Sequence, residues 1–245
     1  TNPFGRGLER LEARDVPAAF ADDFSSPAAD PMWSFPGGAW VRPAGVLSQT
    51  SSAPGDPLKA VAGGQAWAAD QEVTARVRVD GWQPGDSARA GVGVRTSPAT
   101  GRGYNLVFHG PNTVQFLNDH VTWGNAYAFD WQVGAWYQFK LRAEGTTLLG
   151  KAWADGQAEP AAWMFVQHGW ADRPGGAPAV NGGSSGAGWA TASFDDFAAA
   201  DLSGPLFTDG FSAAPGPAWA FVNGAWSPDA GALRQAGTAA ADVQK

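Results

Sequence analysis

The chain has 245 residues, with 33 Gly, 18 Pro, 13 Trp and no Cys; 44% of it is hydrophobic and 16% charged. This excludes a disordered polyelectrolyte, and a chain of this length holds one large domain or two small ones. With 16 Lys and Arg against 23 Asp and Glu the net charge is −7, which argues against nucleic acid as a main partner, and the lack of cysteine removes disulfides, thiolate metal sites and cysteine nucleophiles.

In chain order, residues 1–17 read as the end of a preceding repeat or a linker, 18–201 as one complete module, and 202–245 as the start of a following repeat. Residues 71–79 alternate with period two, with Val73, Ala75, Val77 and Val79 on one side and Glu72, Thr74, Arg76 and Arg78 on the other. Residues 89–95 form the next strand, in which Gly91 and Gly93 point to close backbone approach or curvature. Residues 104–108 and 113–117 follow, joined by the turn residues His109, Gly110, Pro111 and Asn112. Residues 136–142 send Tyr137, Phe139 and Leu141 inward and pair with 147–153 across Glu144 and Gly145. The glycine-rich run 182–188 reads as a flexible loop, and 192–197 as the last strand. Strands at this density, with no 3.6-residue stripe, predict two packed antiparallel sheets whose first and last strands lie side by side. No apolar run approaches the ~18 residues needed to span a bilayer, so no membrane insertion is expected. The chain opens on Thr1 and reads as a processed chain or an excerpt.

The division into modules rests on an internal repeat. Trp33, Gly38, Trp40 and Gln49 recur as Trp219, Gly224, Trp226 and Gln235, all at an offset of 186 residues. The Asp22, Phe24, Ser25 pattern recurs as Asp209, Phe211, Ser212 at 187. A weaker match of apolar spacing relates residues 8–15 to 194–201. The other reading is one domain with two similar hairpins; four anchors that hold one spacing across unrelated filler favour the repeat.

Several residue groups carry a resemblance. They are Asp-x-Phe-Ser, Gly-x-Trp and Gly-x-Leu near the start; Gly91 to Arg95 with Gly103 to Leu106; Gly134 to Leu141 with Gly150 to Gly156; and the closing Phe194-Asp195-Asp196-Phe197. In these the module resembles the concanavalin A-like lectin/glucanase superfamily, specifically the LamG-like (laminin G-like) jelly-roll modules of large extracellular bacterial proteins. The resemblance implies an all-β antiparallel jelly-roll sandwich, an extracellular or cell-surface location and, in many such modules, a structural calcium. It says little about activity, because this sandwich hosts enzymes, lectins and spacers alike.

The laminarinase-type enzymes of that superfamily carry Glu-x-Asp-x-x-Glu or a close variant, and none of Glu9, Glu12, Glu72, Glu144 and Glu159 sits in such a pattern, so no hydrolase is expected. His109, His120 and His168 lack metal-ligand spacing. If the end strands are neighbours, Asp22, Asp23, Asp195 and Asp196 approach one another and are candidate ligands for a structural Ca²⁺; the alternative is a solvated acidic edge. Trp33, Trp40 and Trp136 read as core. Trp123, Trp82, Trp131 and Trp170, with Asn118 and Asn125 nearby in sequence, form the candidate glycan platform, Trp123 first; the competing reading is that such tryptophans lid the sandwich.

These readings give a non-enzymatic, extracellular tandem-repeat unit with a structural or adhesive role. Its partners would be neighbouring copies, with filament formation by strand exchange as one outcome. The alternative is a carbohydrate-binding module of a polysaccharide-degrading enzyme, with polysaccharide as the partner.

Overall fold

A computed structural model describes residues 20–26, 28, 30–55, 57–183 and 188–202, together with the backbone of 226–229 and 232–235. Among them there is no helix. In chain order the strands of the sandwich are β1 (Phe20–Asp22), β2 (Trp33–Ser34), β3 (Trp40–Val41), β4 (Leu47–Gln49), β5 (Lys59–Ala62), β6 (Gln71–Gln83), β7 (Arg89–Thr96), β8 (Tyr104–Phe108), β9 (Thr113–Asn118), β10 (Thr122–Ala128), β11 (Trp136–Glu144), β12 (Thr147–Ala154), β13 (Phe165–Gln167), β14 (Ala177–Gly183) and β15 (Trp189–Asp201). They form two sheets, both antiparallel throughout. One runs β13-β12-β11-β6-β15-β4-β3, with β1 also paired to β15; the other runs β10-β9-β8-β7-β14-β5-β2. The fold is the all-β antiparallel sandwich that the alternation predicts.

Burial follows the sequence pattern. Val73, Ala75, Val77 and Val79 of β6 and Tyr137, Phe139 and Leu141 of β11 face the core, where they meet Val92, Val94, Tyr104, Leu106 and Phe108 of the opposite sheet. Glu144 pairs with Thr147 across the expected turn. The end strands are neighbours, Asp22 lying opposite Phe197. A bulge interrupts β15 at Asp195 and Asp196, the latter at φ 47°. Phe194 and Phe197, three apart, would face opposite ways in a regular strand; the bulge turns both inward, and they are 0% and 1% exposed.

Two sequence readings need correction. Gly182 and Gly183 are not loop residues: they end β14, a central strand of the second sheet. Trp82 and Trp123 lie in strands β6 and β10 rather than in loops.

The chain divides into two compact units, Thr1–Ser203 and Gly204–Lys245. In the second, β16 (Trp226–Asp229) and β17 (Ala232–Gln235) form an antiparallel hairpin. The remainder of the 202–245 match (Asp209, Phe211, Trp219 and Gly224 among its residues) and residues 1–17 lie outside the described residues.

Candidate functional site

The face of the second sheet that points away from the core carries a polar patch. Because Ala60, Val92, Leu106 and Val180 point inward, their strand neighbours Lys59, Gly91, Gly93, Asn105 and Asn181 point outward. Pairing sets them in two adjacent rows. One runs Trp123, Leu117, Asn105, Gly93, Ala179; the other runs Gln115, Val107, Gly91, Asn181, Lys59. The two glycines leave the middle of the central strand without side chains on this face, and Arg89 of the same strand borders it. A Cβ at Gly93 would lie 2.8 Å from Asn105 Oδ1, in the space that the polar network uses.

Asp119 anchors that network. Its Oδ2 accepts from Lys59 Nζ, from Asn105 Nδ2 at 2.9 Å and from the Gly103 N–H at 2.9 Å. Lys59 Nζ also donates to Asn105 Oδ1 at 2.6 Å. Burial pushes the Asp119 carboxyl up, but the charges of Lys59 and Arg89 and these hydrogen bonds outweigh it and hold the group below the usual carboxylate range. Asp119 Oδ1, in contrast, accepts nothing, and neither Oδ1 nor Nδ2 of Asn181 has a partner, although Asn181 is 0% exposed. Leaving a buried polar group unpaired costs about 1–3 kcal/mol. Here two acceptors and one amide donor are left without a protein partner within one buried polar cluster.

Trp123 stands on the edge strand of the same face. Its ring stacks on His109 at 3.8 Å and 22°, and it is half-buried. Burial holds the His109 imidazole below its ordinary pKa, despite a hydrogen bond with the Ala88 carbonyl, so the stack is neutral near pH 7.

The other expected glycan residues do not gather there. Trp131 is 8% exposed, stacks on Phe108 and meets Trp82 edge-on at 4.9 Å, so these two close the core. Trp170 packs on Tyr104 at 5.3 Å. Asn118 is buried, donates to both oxygens of Asp172 and accepts from Arg173 Nε. Asn125 bonds to Val166 and Gln167 and so ties the edge of one sheet to the edge of the other. Packing and backbone accounting explain all five; only Trp123 shares the polar face.

The four acids of the proposed calcium site come onto neighbouring strands but are satisfied by protein groups. Asp22 accepts from Trp33 Nε1 at 2.8 Å, from Arg42 at 3.0 Å and from the Phe24 N–H. Asp195 and Asp196 both face Arg76, at 2.9 and 3.6 Å, and Asp23 caps the Ser25 N–H. Burial raises the Asp195 pKa, and the charges of Asp196 and Asp23 raise it further against Arg76. Among the described residues no three His, Asp or Glu side chains form a group that could hold a metal ion.

Sequence reading missed Lys59, Asn105 and Asn181, each a polar residue in an apolar strand, and an outward-facing polar residue is ordinary in a sandwich.

No protein-family model matches the chain, and no curated protein matches it. Solved structures do. The carbohydrate-binding module CBM66 from Bacillus subtilis superposes with a TM-score of 0.53 at 17% identity, over 69% of this chain and 94% of that one. A xylan β-1,4-xylosidase from Bacillus halodurans C-125 gives 0.53 at 15%, over 79% and 41%. GH43B of a Bacteroides ovatus xyloglucan PUL gives 0.53 at 19%, over 78% and 40%. The chain thus spans less than half the length of the latter two, and at these identities the likeness is one of fold.

Proposed function

We propose that the sandwich, LamG-like in its sequence pattern, is a non-catalytic carbohydrate-binding module. Its site is the outward face of the second sheet, with Asn181 and Asp119 as hydroxyl partners, Lys59 and Asn105 as their support, and Trp123 as the stacking edge. The observation that carries this is the Asn181 side chain, fully buried yet unpaired at both polar atoms beside an unpaired carboxylate oxygen. The fold likeness to a carbohydrate-binding module supports the same reading. Asp119 Oδ1 and Asn181 Oδ1 favour a neutral sugar, since an anionic one would bring like charge against a carboxylate that already has its cation. Hydrolysis needs two carboxylates flanking the cleaved bond; this patch offers one, tied to Lys59.

The test is native affinity electrophoresis through gels containing xylan, xyloglucan or other neutral polysaccharides. Retardation by at least one, with Kd raised about tenfold or more by Trp123→Ala, is expected; no retardation by any would overturn the proposal.

A second reading, a structural unit of a surface-exposed tandem array, draws on a different observation. Trp226 pairs in backbone register with Gln235 in the hairpin of the second unit as Trp40 does with Gln49 in the sandwich. A module in such an array is free to carry a sugar site, so the two readings are compatible.

A further inference from the structure

Three side chains of the buried polar cluster hold the geometry of an acyl transfer among themselves. Lys59 and Asn105 are 0% exposed and Asp119 is 1% exposed. Lys59 Nζ lies 2.6 Å from Asn105 Oδ1, so the adjoining carboxamide carbon, one carbonyl bond of about 1.23 Å further on, is no more than about 3.8 Å from the amine. Reacting atoms in a near-attack geometry stand about 3–3.5 Å apart. The surroundings fix the orientation of the amide. An ammonium only donates, so Oδ1 turns to Lys59; Nδ2 donates to the Gly103 carbonyl at 3.2 Å, the Leu117 carbonyl at 3.3 Å and Asp119 Oδ2 at 2.9 Å. Gly93 leaves room for the contact, since a Cβ there would lie 2.8 Å from Asn105 Oδ1.

One carboxylate oxygen touches both ends of the exchange. Asp119 Oδ2 accepts from Lys59 Nζ, the amine that would attack, and from Asn105 Nδ2, the nitrogen that would depart. It is placed to take a proton from the first and give one to the second.

We propose that Lys59 and Asn105 join in an intramolecular isopeptide bond, with Asp119 as the catalytic acid–base. The Nζ–Cγ bond forms and the Cγ–Nδ2 bond breaks. Asp119 Oδ2 carries two protons in turn from Nζ to Nδ2. An ammonium ion leaves with the charge that Lys59 held, and Asp119 is again a carboxylate, beside the charge of Arg89. The reaction balances without an oxidant or co-reactant, and burial keeps water from competing with the amine. Lys59 stands on β5 and Asn105 on β8, with β14 and β7 between them in the sheet. The bond would staple four strands and close a loop between residues 46 apart. In a chain without cysteine it would constrain the unfolded state as a disulfide does.

The inference goes beyond sugar binding, and its test needs no ligand. The full chain is weighed by intact-mass spectrometry and then digested with trypsin. A mass about 17 Da below that of the unmodified chain, the loss of one ammonia, is expected. The digest should contain the Lys59 and Asn105 peptides joined, with no cleavage after Lys59. Asn105→Ala and Asp119→Ala should keep the full mass and be cut after Lys59; where a variant does not fold, the parent's own peptide map decides. A succinimide at Asn181 and Gly182 would lose the same mass, so ammonia loss without the joined peptides overturns the inference. A parent chain of full mass that is cleaved after Lys59, or the joined peptides in folded Asp119→Ala, also overturns it.

Discussion

At the scale of single residues, Asn181 is the most informative side chain. If its amide exists to meet a ligand, the ligand-free protein bears an unpaired polar group for no structural gain. Asn181→Leu removes that penalty at nearly constant volume. We predict that this variant is more stable by about 1 kcal/mol, a rise in Tm of about 2–4 °C in calorimetry. A purely structural Asn181 would give a loss instead. Lys59 behaves oppositely. Lys59→Met leaves the Asp119 carboxylate buried without its cation, and a cost of about 3–5 kcal/mol is expected in urea unfolding at pH 7. Acid should show the same pair. The Asp119 pKa is lowered by folding, so its stabilisation is complete above the unfolded value of about 3.9 and is lost as pH falls through the lower folded value. Asp119→Asn is therefore less stable than the parent at neutral pH, and Tm measured from pH 6 downward should show the gap narrowing only below about pH 4.

Among the elements, β7 and β15 carry the irregularities that shape the molecule. Arg95, near the end of β7, sits at φ 49°, is 4% exposed, and donates to the carbonyls of Ala69 and Gly145, each at 2.7 Å, and to Asp70 at 3.2 Å. One planar guanidinium thus ties two loops to a strand, a task that a lysine ammonium cannot perform in the same geometry. Arg95→Lys should lower Tm by about 5–12 °C, read by differential scanning fluorimetry. In β15 the bulge places Asp195 and Asp196 against Arg76, and Asp22 is held by Trp33 and Arg42. Because these acids already have donors, millimolar calcium or excess chelator should leave Tm unchanged, and a rise of several degrees with calcium would contradict this account. Legibility from sequence also divides by element. β6 and β11 alternate cleanly because one of their faces is buried and the other solvated, so period two exposes them. β14 hides its strand character behind Pro178, Gly182 and Gly183, and β5 is a four-residue segment too short to show a period. The patch built on these two strands was illegible for the same reason: its chemistry depends on which row each residue joins, and register is set by tertiary pairing. Trp123 could be singled out from sequence, whereas the burial of Trp131 could not, because nothing local distinguishes an indole that lids the core from one that leaves it.

At the scale of the sandwich, two sheets bury one aromatic core and leave two different outer faces. The outer face of the first sheet is laced with ion pairs, among them Arg142 with Glu72 and Lys140 and Lys151 with Glu159. That of the second holds Gly91, Gly93 and the unpaired groups of Asn181 and Asp119. The first face leaves the Arg76 Nε–H unpaired among its ion pairs, whereas the second groups two unpaired acceptors with an amide donor, and the proposed sugar site rests on that grouping. The measurement that tests it most directly is the affinity of Asn181→Leu, by isothermal titration, for whichever of the xylan, xyloglucan or other neutral polysaccharide gels retards the parent. The account predicts a loss of at least about 100-fold in affinity, the cost expected when a pair of hydrogen bonds to a ligand is removed, from a protein that melts no lower than the parent. Undiminished binding by a folded Asn181→Leu chain would contradict it.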